Sequence, residues 1–217
     1  MIMAPDLTLH GFFNSSASFR VRIALELKGL AWRHAGVDLR KGDQDAPEFR
    51  QLNPNGLVPA LEIEGRRLTQ SLAIIDLLDR LAPEPRLLPT DGGHRERVLE
   101  IACLIAADIH PLDNLRVLKY LTSTLAVTDA QKRAWYAHWI HEGFRALERL
   151  LPDHGGWCVG SSPTLADCCL VPQVANASRM AVDLDAYPRI RRIAQYCNSH
   201  PAFQRAAPSA QPDYVAA

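Results

Sequence analysis

Residues 82–93 (Ala-Pro-Glu-Pro-Arg-Leu-Leu-Pro-Thr-Asp-Gly-Gly) hold three prolines and a glycine pair in twelve positions. Proline offers no N–H and is rejected from helix interiors, and paired glycine favours turns, so neither a helix nor a strand runs through this stretch. The 217-residue chain is therefore predicted to fold as two blocks, residues 1–84 and 94–217, with 85–93 as linker. With 47% hydrophobic residues, each block has the means to bury a core of its own.

In the first block, strand and helix signals alternate. Residues 7–10, with Phe12 and Phe13 after them, read as a strand. Phe19, Ile23, Ala24 and Leu27 recur at helical spacing, Arg20, Arg22, Glu26 and Lys28 supply a polar face, and Gly29 closes the helix. Residues 31–38 look extended. A short helix is predicted from about residue 45 to residue 52, with Pro47 in its first turn and Asn53-Pro54 after it. Residues 58–63 and 66–69 read as a hairpin around Glu64-Gly65, and Ser71 then caps an apolar helix over 72–81. The order βαβαββα predicts an α/β domain, a sheet with helices on its faces.

The second block shows no convincing strand. Residues 95–120 form one long helical pattern, bent near Pro111, and 129–151 form another with Trp135, Trp139, Phe144 and Leu147 on its apolar stripe. Thr164-Leu165-Ala166-Asp167 is a capping box. Residues 187–196 and 201–206 complete a predicted helical bundle.

Charge removes several classes of function. Twenty-four Lys and Arg balance twenty-four Asp and Glu, which favours neither nucleic acid nor an anionic membrane as partner. No apolar run approaches the roughly 20 residues of a spanning helix, and Pro5 and Asp6 interrupt any apolar signal region. The five cysteines are odd in number and lack a framework spacing, so reduced thiols in a cytoplasmic protein are expected, with Cys168-Cys169 packed in a core. The eight histidines make no metal-ligand array; His138 and His141, near Trp135 and Trp139, read as solvated or packed side chains.

Chemistry concentrates at Asn14-Ser-Ser-Ala-Ser-Phe-Arg-Val-Arg22, the turn from the first strand into the first helix. Unpaired N–H groups and the positive end of the helix dipole favour a bound anion beside the hydroxyls of Ser15, Ser16 and Ser18. That anion is a carboxylate, a phosphate or a thiolate.

Five segments then carry a resemblance: Ser15-Ser-Ala-Ser-Phe-Arg-Val-Arg-Ile-Ala-Leu25, Leu52-Asn-Pro-Asn-Gly-Leu-Val-Pro59, Gln70-Ser-Leu-Ala-Ile-Ile75, Asp108-Ile-His-Pro-Leu-Asp-Asn-Leu-Arg116 and Thr164-Leu-Ala-Asp-Cys-Cys-Leu-Val-Pro-Gln-Val174. Over nearly its whole length the sequence resembles the glutathione transferases, and closely the zeta class, whose members include maleylacetoacetate isomerases. The Val-Pro and Gln-Ser pairs are shared across the superfamily, whereas the serine turn and Leu-Val-Pro-Gln-Val belong to zeta-like members. The resemblance implies a thioredoxin-like α/β domain followed by an all-α helical-bundle domain, a homodimer, glutathione as cofactor and a small dicarboxylate as substrate.

It also implies roles. Ser15, with Ser16 close behind, supports the glutathione thiolate, whose pKa a helix N-terminus and a donated hydrogen bond lower. Val58-Pro59 resembles the family's cis-proline turn, which aims the Val58 backbone at a glutathione peptide link. Gln70 and Ser71 suit the γ-glutamyl carboxylate; Asn55 and Gln44 suit the tripeptide. His110 and Asn114, four apart on one predicted helix face, are assigned to glutathione. Arg20, Arg116 and Arg179 are the cations for substrate carboxylates, with Arg20 also steadying the enolate formed on addition. The implied reaction is cis–trans isomerisation of maleylacetoacetate to fumarylacetoacetate. Maleylpyruvate isomerisation, general transfer of glutathione to small electrophiles, and a non-catalytic binding module are the alternatives. Asn14 stands where the family often has arginine, and Ala17 where some members have cysteine.

Overall fold

The computed structural model describes residues 6–216, which form two compact units, one made of residues up to 88 together with 199 onward, the other of 89–198. The division falls after Leu88, whereas the sequence reading placed a linker over 85–93. The tail is not where the bundle reading put it: residues 199–216 belong to the first unit.

The first unit is built on four strands, β1 (Leu7–Gly11), β2 (Arg33–Gly36), β3 (Ala60–Ile63) and β4 (Arg66–Thr69), in the order β2-β1-β3-β4. β1 runs parallel to β2 and antiparallel to β3, which pairs with β4. The parallel pair requires a crossover, and α1 (Ser16–Leu27) supplies it. A 3-10 turn (Asp43–Asp45), α2 (Pro47–Leu52) and α3 (Ser71–Leu81) complete the predicted order. Alternation along β1 buries Leu7 and Leu9, which pair with Ile63 and Leu61 of β3.

The polar face expected on α1 is not solvated. Arg20, Arg22 and Lys28 are all buried, because each finds acceptors inside the unit. Lys28 Nζ lies 2.6 Å from Asp79 Oδ1 on α3, and Asp79 also accepts from the N–H groups of Leu87 and Leu88 at 2.6 and 3.3 Å. One buried ion pair thus fastens α1, α3 and the end of the unit together.

The second unit is helical among its described residues: α4 (Gly92–Cys103), a π-helical segment (Leu104–Ile109), α5 (Leu115–Ser123), α6 (Asp129–Leu150), α7 (Leu165–Arg179) and α8 (Pro188–Asn198). The single long helix expected over 95–120 is broken, not bent. Pro111 has no N–H to continue the ladder, and a run of i→i+3 turns leads to Asn114, which caps α5. Gly143 on α6 makes room for this region, since a β-carbon there would sit 2.2 Å from Ile109 Cγ1. The capping box at α7 is present: Asp167 accepts from Thr164 N–H and Oγ1 at 2.8 and 2.9 Å, and from Cys158 N–H at 2.7 Å. Cys168 and Cys169 are fully buried core residues. α9 (Pro201–Ala206) lies in the first unit, against α1.

Candidate active site

Ser15 is the N-cap of α1, and its Oγ accepts from Ser18 N–H at 3.2 Å. An accepting hydroxyl keeps its one proton for donation, so Ser15, half-buried, can still give a hydrogen bond to an anion. Ser16 is buried in the first turn, and Ser18 is fully buried with its Oγ taking Phe12 N–H at 3.4 Å. The three serines therefore separate: Ser18 holds the turn, Ser16 packs, and Ser15 retains a donor. No acidic residue stands in the first turn of α1 to oppose an anion there.

The start of α3 is tied to the same place. Arg20 Nη1 donates to Ser71 Oγ at 3.3 Å, and both side chains are buried. Arg20, expected to meet a substrate, is only 2% exposed and packs against Ser71. Gln70, not Ser71, is the N-cap of α3; it has φ 72° and makes no side-chain cap, leaving Ser71 as the first helical residue. A non-glycine residue held at such a φ belongs among the strained positions that cluster at functional sites. α3 likewise has no acid in its first turn.

The Val58–Pro59 peptide is cis. The ladder of β3 begins at Ala60, so the Val58 peptide groups stand outside it and can pair with an extended ligand as a strand edge would. Beneath the turn, Phe12, Phe13, Val37, Phe49 and Val58 form an apolar cluster. Asn55 is exposed, its backbone donating to Asn53 Oδ1 at 3.0 Å. Gln44 sits in the 3-10 turn, where its Nε2 donates to Asp45 at 3.0 Å and its buried Oε1 has no partner among the described residues. These donors and acceptors fit a tripeptide carrying carboxylates and a thiol.

Arg22 is the residue that sequence reasoning missed. Fully buried, it donates to the carbonyls of Ala206, Phe12 and Phe13 at 2.9, 3.3 and 3.0 Å. Burial lowers its pKa to about 10, with Asp213 acting the other way. Helical spacing puts Arg22 on the expected polar face, so no local signal marked it; its burial follows from acceptors at Ala206, Phe12 and Phe13.

In the second unit, His110 and Asn114 are not on one helix face. His110 ends the π-helical segment, and Asn114 caps α5 by accepting from Arg116 N–H at 3.1 Å. Arg116 is exposed on α5, and Arg179 is exposed at the end of α7, where it donates to Asn176 Oδ1. Tyr136 of α6 is pushed up in pKa by burial and then by the charge of Asp113, with Arg179 opposing. Asp113 itself is buried, neither carboxylate oxygen has a partner among the described residues, and desolvation raises its pKa to about 8.

A parallel-crossover sheet with a cis-proline turn and a hydroxyl at the first helix's N-terminus defines a thioredoxin-like thiol-binding unit. Family models extend this. "Glutathione S-transferase, N-terminal domain" matches residues 14–81, and "Glutathione S-transferase, C-terminal domain" matches 128–195. A probable maleylacetoacetate isomerase of Vibrio cholerae is 49% identical over 212 residues, 96% of this chain and 98% of that one. The holo structure of a maleyl pyruvate isomerase, a bacterial zeta-class glutathione S-transferase, matches with a TM-score of 0.93 at 45% identity, covering 96% of this chain and all of that one. A maleylacetoacetate isomerase from Anaeromyxobacter dehalogenans, with glutathione bound in its active site, matches with a TM-score of 0.87 at 39% identity over 99% of this chain and all of that one. The chain belongs to the glutathione S-transferase family, within its zeta-class, maleylacetoacetate isomerase branch.

Proposed function

We propose that this chain converts maleylacetoacetate to fumarylacetoacetate with glutathione as cofactor. The observation that carries the reading is the Ser15 hydroxyl, fixed as an N-cap yet keeping its proton, in a chain 49% identical to a probable maleylacetoacetate isomerase. Glutathione when bound supplies a thiolate that adds to the cis double bond, allows rotation about the resulting single bond, and leaves again unconsumed. The protein's own residues do the rest. Ser15 donates to the sulfur and lowers its pKa, with Ser16 and the N-terminus of α1 adding dipolar support. Val58, beside Pro59, pairs its backbone with a peptide link; Gln70 and Ser71 take the γ-glutamyl carboxylate; Asn55 and Gln44 bond the tripeptide. Arg20 positions Ser71 and adds charge beneath it. In the second unit His110 and Asn114 are assigned to glutathione, and Arg116 and Arg179 to the substrate's carboxylates, which guanidinium groups can grip bidentately.

We read the working form as a cytoplasmic homodimer. The fold family supports the dimer, and five free cysteines support a reducing compartment. A second substrate, maleylpyruvate, is supported by the 45% identity and 0.93 TM-score to a maleyl pyruvate isomerase, while Asn14, neutral where the family often carries arginine, removes one carboxylate anchor without choosing between the diacids. Ultraviolet conversion assays with each diacid, with and without glutathione, test the reading. Turnover that depends on glutathione supports it, and the ratio of kcat/KM for the two diacids picks the substrate. Conversion indifferent to glutathione would overturn it.

A further inference from the structure

Residues 213 and 214 fold back onto the serine turn within the first unit. Asp213 Oδ2 accepts from Phe13 N–H at 2.9 Å, across 200 residues of sequence. The Tyr214 ring meets Phe13 edge-on at 5.4 Å between centroids. Arg22 joins the carbonyl of Ala206, at the end of α9, to those of Phe12 and Phe13. The charged groups facing Asp213 and its turn are likewise defined. His34 Nε2 of β2 stands 3.0 Å from Asp213 Oδ1, the Arg22 charge acts on the carboxylate, and Arg40 lies over the rings of Phe12 and Phe13 at 5.7 and 5.1 Å.

These ties land two residues before Ser15. The Phe12 carbonyl that Arg22 grips also accepts from Ser15 N–H at 3.0 Å. Phe13 is buried and its N–H lies past the end of β1, so without Asp213 the sheet offers it no partner. A buried N–H left unpaired costs enough to make the turn move toward another acceptor. We propose that Asp213 is a positioning residue for the thiol-binding turn: by fixing the Phe13 amide it holds the Phe12 carbonyl, and hence Ser15, where the sulfur is best supported. The proposal rests on the assignment of Ser15 to the glutathione sulfur.

The test is the thiolate absorbance of bound glutathione, followed against pH in the full chain, with turnover measured over the same range. Asp213→Ala is expected to raise the thiol titration by about one pH unit, a tenfold loss of thiolate below the midpoint. Turnover at neutral pH is expected to fall by a similar factor and to recover in alkali, while KM for glutathione changes by less than about threefold. Asp213→Asn, which keeps an acceptor oxygen for Phe13, is expected to restore most of the shift. A folded Asp213→Ala that binds glutathione in calorimetry and titrates as the parent overturns the proposal, as does a rate loss equal at every pH. If Asp213→Ala does not fold, Asp213→Ser, whose hydroxyl stops short of the amide, is read in the same way. Ser15→Ala in parallel separates the two ideas. A shift in it but not in Asp213→Ala sinks the positioning role alone. A shift in Asp213→Ala but not in Ser15→Ala sinks the assignment of Ser15 to the sulfur, and the proposal as stated falls with it.

Discussion

Among the three serines of the turn, hydrogen bonding separates chemistry from scaffolding. Ser15→Ala removes the cap on Ser18 N–H and the proton available to an anion, whereas Ser18→Ala removes an acceptor buried under Phe12. Losing one preorganised donor to a developing anion costs about 10²–10³ in rate. Ser15→Ala is therefore expected to lower kcat/KM about 100-fold at neutral pH, with the loss shrinking in alkali as free thiolate becomes available. Ser18→Ala is expected to cost about 1–2 kcal/mol of stability with a smaller change in rate, read from denaturant melts beside the kinetics. Asp113 makes a separate prediction. Its pKa, raised by burial to about 8, exceeds the ordinary unfolded carboxylate value, so between roughly pH 4 and 8 the native chain holds a proton that the unfolded chain has lost. Stability from this group is expected to fall as pH rises through that window and to level off above it. Asp113→Asn should unfold at a higher temperature than the parent by a margin that widens from pH 5 to pH 8. A constant margin would show that the carboxyl is not the titrating group.

At the scale of elements, the Lys28–Asp79 pair fastens α1 to α3 and receives the chain at Leu87 and Leu88. Removing one partner leaves a buried charge uncompensated, which costs about 3–5 kcal/mol, whereas replacing both with apolar residues of similar volume is often close to neutral. Lys28→Ala is expected to lower stability by about that amount, and Lys28→Met with Asp79→Leu to recover much of it, as measured by urea denaturation. Additive single-variant losses would show that the two side chains act separately. The elements themselves were largely legible, because the alternation of β1, the helical period of α1 and α3, and the Glu64-Gly65 turn are local signals. Where reading failed, the deciding contact was distant. Lys28, Arg20 and Arg22 look like a solvated stripe until their acceptors, on α3, at Ser71 and on Ala206, are known. The break between the π-helical segment and α5 was hidden because apolar spacing continues across it and only Pro111 marks it. Likewise, Ser71 resembled a cap because only the backbone angle of Gln70 shows that the helix starts one residue earlier, at Ser71 itself.

At the scale of the molecule, the first unit is assembled from both ends of the sequence, since residues 199–216 join it after the whole of 89–198 has been laid down. No local period announces where a terminal helix will dock, so the bundle reading assigned α9 to the wrong partner. Ala202, Phe203 and Ala206 are buried there, and Arg205 reaches Glu26 of α1 at 2.6 Å. A chain ending at Asn198 would expose the apolar groove these residues fill and strip Arg22 of the Ala206 carbonyl and Phe13 of Asp213. Emptying the Phe203 position alone costs about 3–5 kcal/mol, a large part of the 5–15 kcal/mol that ordinarily holds a domain together. Removal of residues 199–217 is therefore expected to collapse hydrogen-exchange protection over 6–88 while the helices of 89–198 keep most of theirs, because residues 89–198 form a compact unit of their own. Glutathione binding should fall with the first unit, and far-ultraviolet dichroism should keep a helical signal from the second. Uniform loss of protection across both units would mean that they fold as one cooperative body, and undiminished protection over 6–88 would mean that the tail only decorates a unit already stable without it.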